Sequence, residues 1–306
     1  MRRVRSIFLI AGGSLLASLF AISLPGMDEP SGLPFRVQRM QYSAFSDDAS
    51  LFLSAYARTT VRERGADSLV ASYAGTEVIR AGIVSHHLFV KRLIAEYFEA
   101  LSRAVHPRTV VILGPNHHAR GPAPIAVTAL PWKTPFGMVD ADTAMVAGLV
   151  ASKLVEENDD AFFHEHSVGA IVPFIRHVFP DARVVPIVFR RDADSAVCVN
   201  LGTWLAHKAD ATVFLLGSMD FSHYRSSAEA EEEDQRTIPV LTTCDPGRVR
   251  EASVDSHPAL LALLTACREE GAMKAHVLQH TNSGIITRQP LTPCTSYINT
   301  VFARRH

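Results

Sequence analysis

The sequence predicts an α/β fold with a central mixed, largely parallel sheet flanked by helices. Three observations carry this. Short apolar runs rich in valine and isoleucine, at Val78–Val84, Val110–Leu113, Ala182–Phe189 and Thr212–Leu216, read as buried strands. Stretches of helical spacing alternate with them, and a strand–helix–strand unit of this length is normally a parallel crossover. Several of these strands run straight into polar clusters, at the end of an open α/β sheet where ligands bind.

The bulk numbers agree with an ordinary globular chain. Of 306 residues, 47% are hydrophobic and 20% charged. A net charge of −1 argues against nucleic acid as a partner, since that needs a basic face. No repeat of fixed period is evident. Fourteen histidines are many, and several sit in short clusters.

The chain opens with a targeting segment. Arg2, Arg3 and Arg5 precede an apolar stretch from Ile7 to Leu24, with Asp28 and Glu29 beyond it. This reads as a secretory signal peptide or an N-terminal membrane anchor over residues 1–25. The apolar run of about 18 residues is at the lower limit for a span. Residues 26–306 then form one α/β domain. On this reading the domain is exported, either periplasmic or extracellular or anchored with its body outside. The N-terminal segment would contact membrane or export machinery. Cys198, Cys244, Cys267 and Cys294 are too widely spaced for a zinc ribbon. Outside the cytoplasm they can pair in three ways, and free buried thiols are an equal alternative.

The elements follow in order. Asp47–Arg58 is a helix capped by Ser46 or Asp47, and turns lie near Gly65 and Gly75. The strand Val78–Val84 ends in Ser85-His86-His87. Leu88–Ala104 has the helical spacing of Leu88, Leu93, Ile94, Phe98 and Leu101. The strand Val110–Leu113 is broken by Gly114-Pro115, and Asn116-His117-His118 follows. The two His-His pairs therefore belong at one sheet edge, on neighbouring strands. Ile125–Val127 is a short strand, and Trp132–Gly137 a turn-rich loop. Asp140–Leu154 is a helix. His164-Glu165-His166-Ser167 precedes a helical stretch, Val168–Phe179. The strand Ala182–Phe189 and the helix Asp192–His207 come next. Thr212–Leu216 runs into Gly217-Ser218-Met219-Asp220-Phe221-Ser222-His223. Glu229–Asp234 reads as a solvated helix face. Helices cover Arg248–Ala252 and His257–Glu270, the second capped by Asp255 or Ser256. Lys274–Gln279 and Thr295–Phe302 are closing strands.

The clusters point to a metal. His86, His117, Asp220 and His223 arrive from strand ends, with His166 and Asp255 at helix starts. Neutral imidazoles with a carboxylate bind borderline divalent metals, Fe(II) or catalytic zinc. Asp220 suits the role of orienting a ligand imidazole, and further histidines can move protons near neutral pH. Each residue also has a plainer role: His86 and His117 as loop hydrogen-bonders, His166 and Asp255 as helix caps, Asp220 and His223 as a structural pair. His87 and His118 are expected to point elsewhere, and His164 into solvent. Glu165 either balances a nearby charge or caps the next helix.

In this order the segments resemble the Memo family, also called AmmeMemoRadiSam system protein B. They are Ser85-His86-His87-Leu88, Leu113-Gly114-Pro115-Asn116-His117-His118, Thr134-Pro135-Phe136-Gly137, Glu165-His166-Ser167 and Asp220-Phe221-Ser222-His223-Tyr224, with Thr295-Ser296-Tyr297 near the end. The resemblance spans about Ile79 to Phe302. It implies an extradiol-dioxygenase-like single domain. It also implies a pocket in which two histidines and a cysteine bind iron or copper, with an Asp and a His nearby. Carried over, the histidines are His86 and His117, the Asp–His pair is Asp220 and His223, and His166 belongs to the Glu-His-Ser segment. The cysteine has no counterpart. Its stretch here is Ser253-Val254-Asp255-Ser256-His257-Pro258, so Val254 or Asp255 takes its place.

These readings assign His86, His117 and Asp255 to the metal, and His166, His223 and Asp220 to catalysis. The implied cofactor is a divalent metal, Fe(II) first, with copper or zinc as alternatives. The implied function is a non-haem iron redox enzyme of extradiol type acting on a small molecule. The alternatives are a non-catalytic protein that binds a metal, small ligand or peptide, and a metal-dependent hydrolase. No Gly-x-Ser-x-Gly elbow, P-loop or dinucleotide fingerprint is present.

Overall fold

The computed structural model describes residues 41–56, 77–271 and 274–305. The expected signal or anchor and the turns near Gly65 and Gly75 lie outside them. Among the described residues no helix is long and apolar enough to cross a membrane.

Four parallel strands form the centre of the main sheet: β2 (Glu77–Val84), β9 (Val213–Ser218), β3 (Thr109–Pro115) and β8 (Arg183–Phe189). β4 (Ile125–Val127) pairs antiparallel with β8, and the short β7 (Glu156–Glu157) lies beyond it. At the other edge β12 (Cys294–Arg305) runs antiparallel to β2, and carries β11 (Lys274–Asn282) and β10 (His223–Arg225). A mixed, largely parallel sheet flanked by helices is therefore the fold class.

The central strands read as unbroken apolar runs because both faces are covered. Side chains alternate between the faces. Val111 and Leu113 of β3 join one core cluster, while Val110 and Ile112 join the other. The first face is covered by α6 (Ser195–Lys208), α7 (Ser227–Thr242) and α8 (His257–Glu269). The second is covered by α1 (Ala49–Tyr56), α2 (Lys91–Ser102) and α5 (Val172–Val178). α3 (Thr143–Ala151) contributes Val146 and Leu149 to the first core.

Several expectations are corrected. The Gly114-Pro115 step does not break β3. The strand continues through it, with Pro115 in register with Phe189. The strands carrying the His-His pairs are not neighbours, because β9 lies between them. Trp132–Gly137 is not a plain loop: β5 (Trp132–Thr134) and β6 (Gly137–Val139) form a hairpin, and β1 (Tyr42–Ser43) adds a third strand. The stretch from Val168 to Phe179 is two helices, α4 (His166–Gly169) and α5, rather than one. The expected helix Arg248–Ala252 is a tighter 3₁₀ turn, Pro246–Glu251. Glu229–Asp234 is only partly solvated. Asp234 is fully buried and accepts from His280, Ser222 and Ser296. All four cysteines are free and buried.

Helix starts are set by side chains that satisfy orphan N–H groups. Asp142, Asp194 and Ser256 cap α3, α6 and α8. The cap of α8 is thus Ser256, which leaves Asp255 free for another purpose.

Candidate metal centre

Three central strands deliver their carboxyl ends side by side. β2 leads to His86, β9 to Asp220 and β3 to His117. The interposed β9 is what brings an acid, Asp220, to the His86 imidazole. Asp255 arrives from the loop before α8. That loop is tied to the β9 extension by a bridge between Phe221 and Val254. The Asp255 N–H also donates to the Asp220 carbonyl at 3.0 Å, and the Asp220 N–H to Asp255 Oδ2 at 2.9 Å. Val254 packs against the apolar core, and Asp255 faces the histidine.

His86 is the centre of the arrangement. It is buried, and its Nε2 lies 3.4 Å from Asp220 Oδ2 and 3.4 Å from Asp255 Oδ2. Its Nδ1 lies 3.3 Å from Ser218 Oγ. The Ser218 hydroxyl spends its hydrogen on the Ser167 carbonyl at 2.5 Å. Nδ1 must then be the donor, and Nε2 carries a lone pair aimed at two carboxylates. Burial lowers the His86 pKa, against an opposing pull from Asp220. A neutral imidazole lone pair facing two acids is a donor set without its acceptor, and a divalent cation supplies one.

His117 is prepared in the same way. Its Nδ1 lies 2.7 Å from Glu165 Oε1, and its backbone N–H donates to Glu165 Oε2 at 2.8 Å. Glu165 is buried, yet hydrogen bonds and the charge of His117 outweigh desolvation and hold its pKa down at about 2. A carboxylate on Nδ1 fixes the tautomer and leaves Nε2 free for a metal. Glu165 also accepts from the Ser167 N–H at 2.8 Å as the cap of α4. The two roles left open by the sequence are both filled by one side chain.

His166, first residue of α4, stacks on His117 with ring centroids 3.8 Å apart. Burial, then His117 and His86, lower its pKa to about 4. The ligand atoms of His86, His117 and His166 lie within 4.8 Å of one another, as do those of His86, Asp220 and Asp255. The set expected from sequence, His86 with His117 and Asp255, is accordingly redistributed. His86 belongs to both clusters, while His117 pairs with His166 and Asp255 pairs with Asp220. The reason is local: Glu165 holds His117 and starts the helix that bears His166. His166 and Asp220, expected in catalysis, stand among the groups that could hold a metal.

The donor set fits a metal on a further ground. Asp255 Oδ1 is buried without a hydrogen-bond partner. Desolvation, and then the charge of Asp220, raise the Asp255 pKa well above its usual range. Such a group is costly unless a cation compensates it.

His223 opens β10 and lines a cavity of about 770 Å³ together with His117 and Asp255. It is half-buried, and burial lowers its pKa. On the other side His166 lines an aromatic recess of about 380 Å³ with Tyr42, Trp132 and Phe162. His87 turns away to Tyr297, at 2.9 Å. His118 and His164 are exposed. Sequence reasoning missed Ser85 and Ser218. The Ser85 hydroxyl hydrogen-bonds Asp220. Their signal was present, since each sits at the carboxyl end of a site strand.

Comparison with known proteins shows the family. Residues 52–298 match the family described as Memo-like protein. A MEMO1 family protein of Methanosarcina barkeri is 30% identical over 237 residues, covering 74% of this chain and 83% of the relative. One of Methanosarcina acetivorans is 30% identical over 236 residues, covering 74% and 82%. Among solved structures, an uncharacterized protein of Escherichia coli K12 aligns with a TM-score of 0.49 at 16% identity, over 72% of this chain and 99% of that one. With the family signature spanning the sheet, the histidines and the acids alike, the chain belongs to the Memo family.

Proposed function

We propose that the protein is a non-haem Fe(II) redox enzyme of extradiol type, acting on a small oxygen-bearing molecule. The observation that carries the proposal is the His86 Nε2 lone pair set 3.4 Å from both Asp220 and Asp255. Imidazole with carboxylate, and no thiolate, is a harder donor set than the family's cysteine would make. It favours iron over copper. His86 would hold the ion with Asp220 and Asp255, and His117, its ring 5.0 Å from that of His86, would complete the set. When bound, Fe(II) supplies open coordination positions and one-electron chemistry for O2 and substrate.

The protein's own groups handle protons and water. His223, at the cavity wall with its pKa lowered, is neutral near pH 7 and accepts a substrate hydroxyl proton. His166 with a pKa of about 4 is neutral too. It therefore acts as a lone-pair donor and not as an acid. Glu165 and Ser218 keep the two central imidazoles in the tautomer that leaves Nε2 open. The arginine-led apolar start supports an exported or membrane-anchored setting for this chemistry.

The test is the metal content of full-length protein purified without chelating tags. Stoichiometric iron that is lost in both His86→Ala and His117→Ala supports the reading. Zinc in its place transfers it to metal-assisted hydrolysis, and absence of metal under iron-replete expression leaves a binding protein. Oxygen uptake with a panel of catechols then tests the reaction, and silence across the panel overturns it.

A further inference from the structure

We infer that the cavity beside the metal centre is built for an anionic ligand, a small molecule bearing a carboxylate or a phosphate. The inference rests on the metal-site reading above for where the rest of the ligand goes. The observation is a set of three solvent-exposed arginines on one cavity wall. Arg191, Arg236 and Arg250 line the cavity that His117, His223 and Asp255 also line. They come from separate places: the turn after β8, the middle of α7 and the 3₁₀ turn before α8. Among the described residues none of the three has an ion-pair or hydrogen-bond partner.

The acids in the same lining are already engaged. Glu233 takes Arg225 at 3.0 Å and the Ser253 hydroxyl at 2.5 Å, and Glu251 takes Arg248 at 2.7 Å. Asp255 faces His86. The wall therefore carries three open guanidinium groups and no free carboxylate to neutralise them. Arg191 and Arg250 also line a neighbouring cavity of about 590 Å³ that shares Asp255 and His257. The positive wall thus continues along the approach to the centre.

Guanidinium forks bind carboxylate and phosphate through paired N–H donors, a geometry that also fixes the orientation of the bound group. A cavity of about 770 Å³ is the size of a small-molecule site. An anionic tail on the arginines leaves the other end of the ligand towards His117, His223 and Asp255. The arginines are positioning and specificity residues. They give the site a preference for substrates with a negative tail over neutral ones of the same shape.

The experiment is calorimetric titration of the full chain, loaded with Fe(II) under argon, with three probes of one shape. These are 3,4-dihydroxybenzoate, (3,4-dihydroxyphenyl)phosphonate and the neutral 3,4-dihydroxybenzamide. At least one anion is expected to bind at least about tenfold tighter than the amide, as a charge-assisted pair implies. The stronger of the two identifies carboxylate or phosphate as the natural tail. The triple variant Arg191→Gln, Arg236→Gln, Arg250→Gln loses the preference while keeping its iron and its affinity for the amide. The triple lysine variant keeps the charge without the fork and retains part of the preference. Equal binding of all three probes, no binding of any, or a preference that survives the glutamine variant overturns the inference. If the protein takes up no iron, the metal reading fails separately. Benzoate, phenyl phosphate and benzamide titrated into the same chain then decide the arginine inference by the same criteria.

Discussion

Glu165 holds His117 at two points, the ring Nδ1 at 2.7 Å and the backbone N–H at 2.8 Å. One buried carboxylate thus sets where the imidazole sits and which nitrogen it offers. Replacing it by glutamine keeps the shape but removes the charge. A polarising partner of this kind is worth about 10–100-fold in metal affinity. Glu165→Gln is expected to weaken iron binding by that order with His117 still in place, as measured by competition with a chromogenic chelator. Unchanged affinity would reduce Glu165 to a helix cap.

Asp255 carries strain that the metal would relieve. Its Oδ1 is buried without a partner, and burial raises its pKa. An acid whose folded pKa lies above its unfolded value destabilises the fold at all pH values above the unfolded one. Asp255→Asn is therefore expected to stabilise the metal-free protein at pH 7 by about 1–3 kcal/mol, while abolishing tight metal binding. Asp255→Cys restores the soft donor usual in the resembled family and is expected to move the preference from iron towards copper or zinc. Urea unfolding of the apo forms and competitive metal loading check both. An asparagine variant that is less stable than wild type, or that keeps its iron, refutes the assignment.

Away from the site, His280 of β11 ties β12's neighbour to α7. Its Nε2 lies 2.8 Å from Asp234 Oδ2 and 3.7 Å from Glu231 Oε2. The hydrogen bond to Asp234 raises the His280 pKa above 6.5, against the opposing effect of burial. A raised folded pKa gives a contribution that is full below pH 6.5 and lost as pH climbs through the folded value. The stability gap between wild type and His280→Gln should therefore be wider at pH 5.5 than at pH 9. Parallel denaturation at the two values measures it, and a gap that widens with pH contradicts the pairing.

The crossing of α6 and α8 depends on a glycine. A Cβ at Gly202 would stand 2.5 Å from the Ala262 carbonyl oxygen and 2.7 Å from Thr265 Cβ. The obstructing atoms are backbone and a fully packed side chain, so the helices must part. Gly202→Ala is expected to cost about 1–3 kcal/mol, read as a lower urea midpoint. A neutral result would show that the two helices separate freely.

The sequence by itself determined the central strands, the long helices and the ends at which histidines and acids emerge. Period and composition are local properties, and local geometry suffices for them. Val110–Leu113 was legible because both faces of its strand are buried. His86 and His117 were legible because each follows such a strand directly. The family segments then named the same residues.

Tertiary structure decided how those ends combine. That β9 lies between β2 and β3 depends on long-range pairing, which no local pattern encodes. It brings Asp220 to His86. That Asp255 faces His86 while Val254 pairs with Phe221 depends on a one-residue register that only the fold supplies. The burial of Asp234 and the open arginines of the cavity are likewise invisible in the chain. A charge is solvated, paired or left waiting only according to what distant segments place beside it.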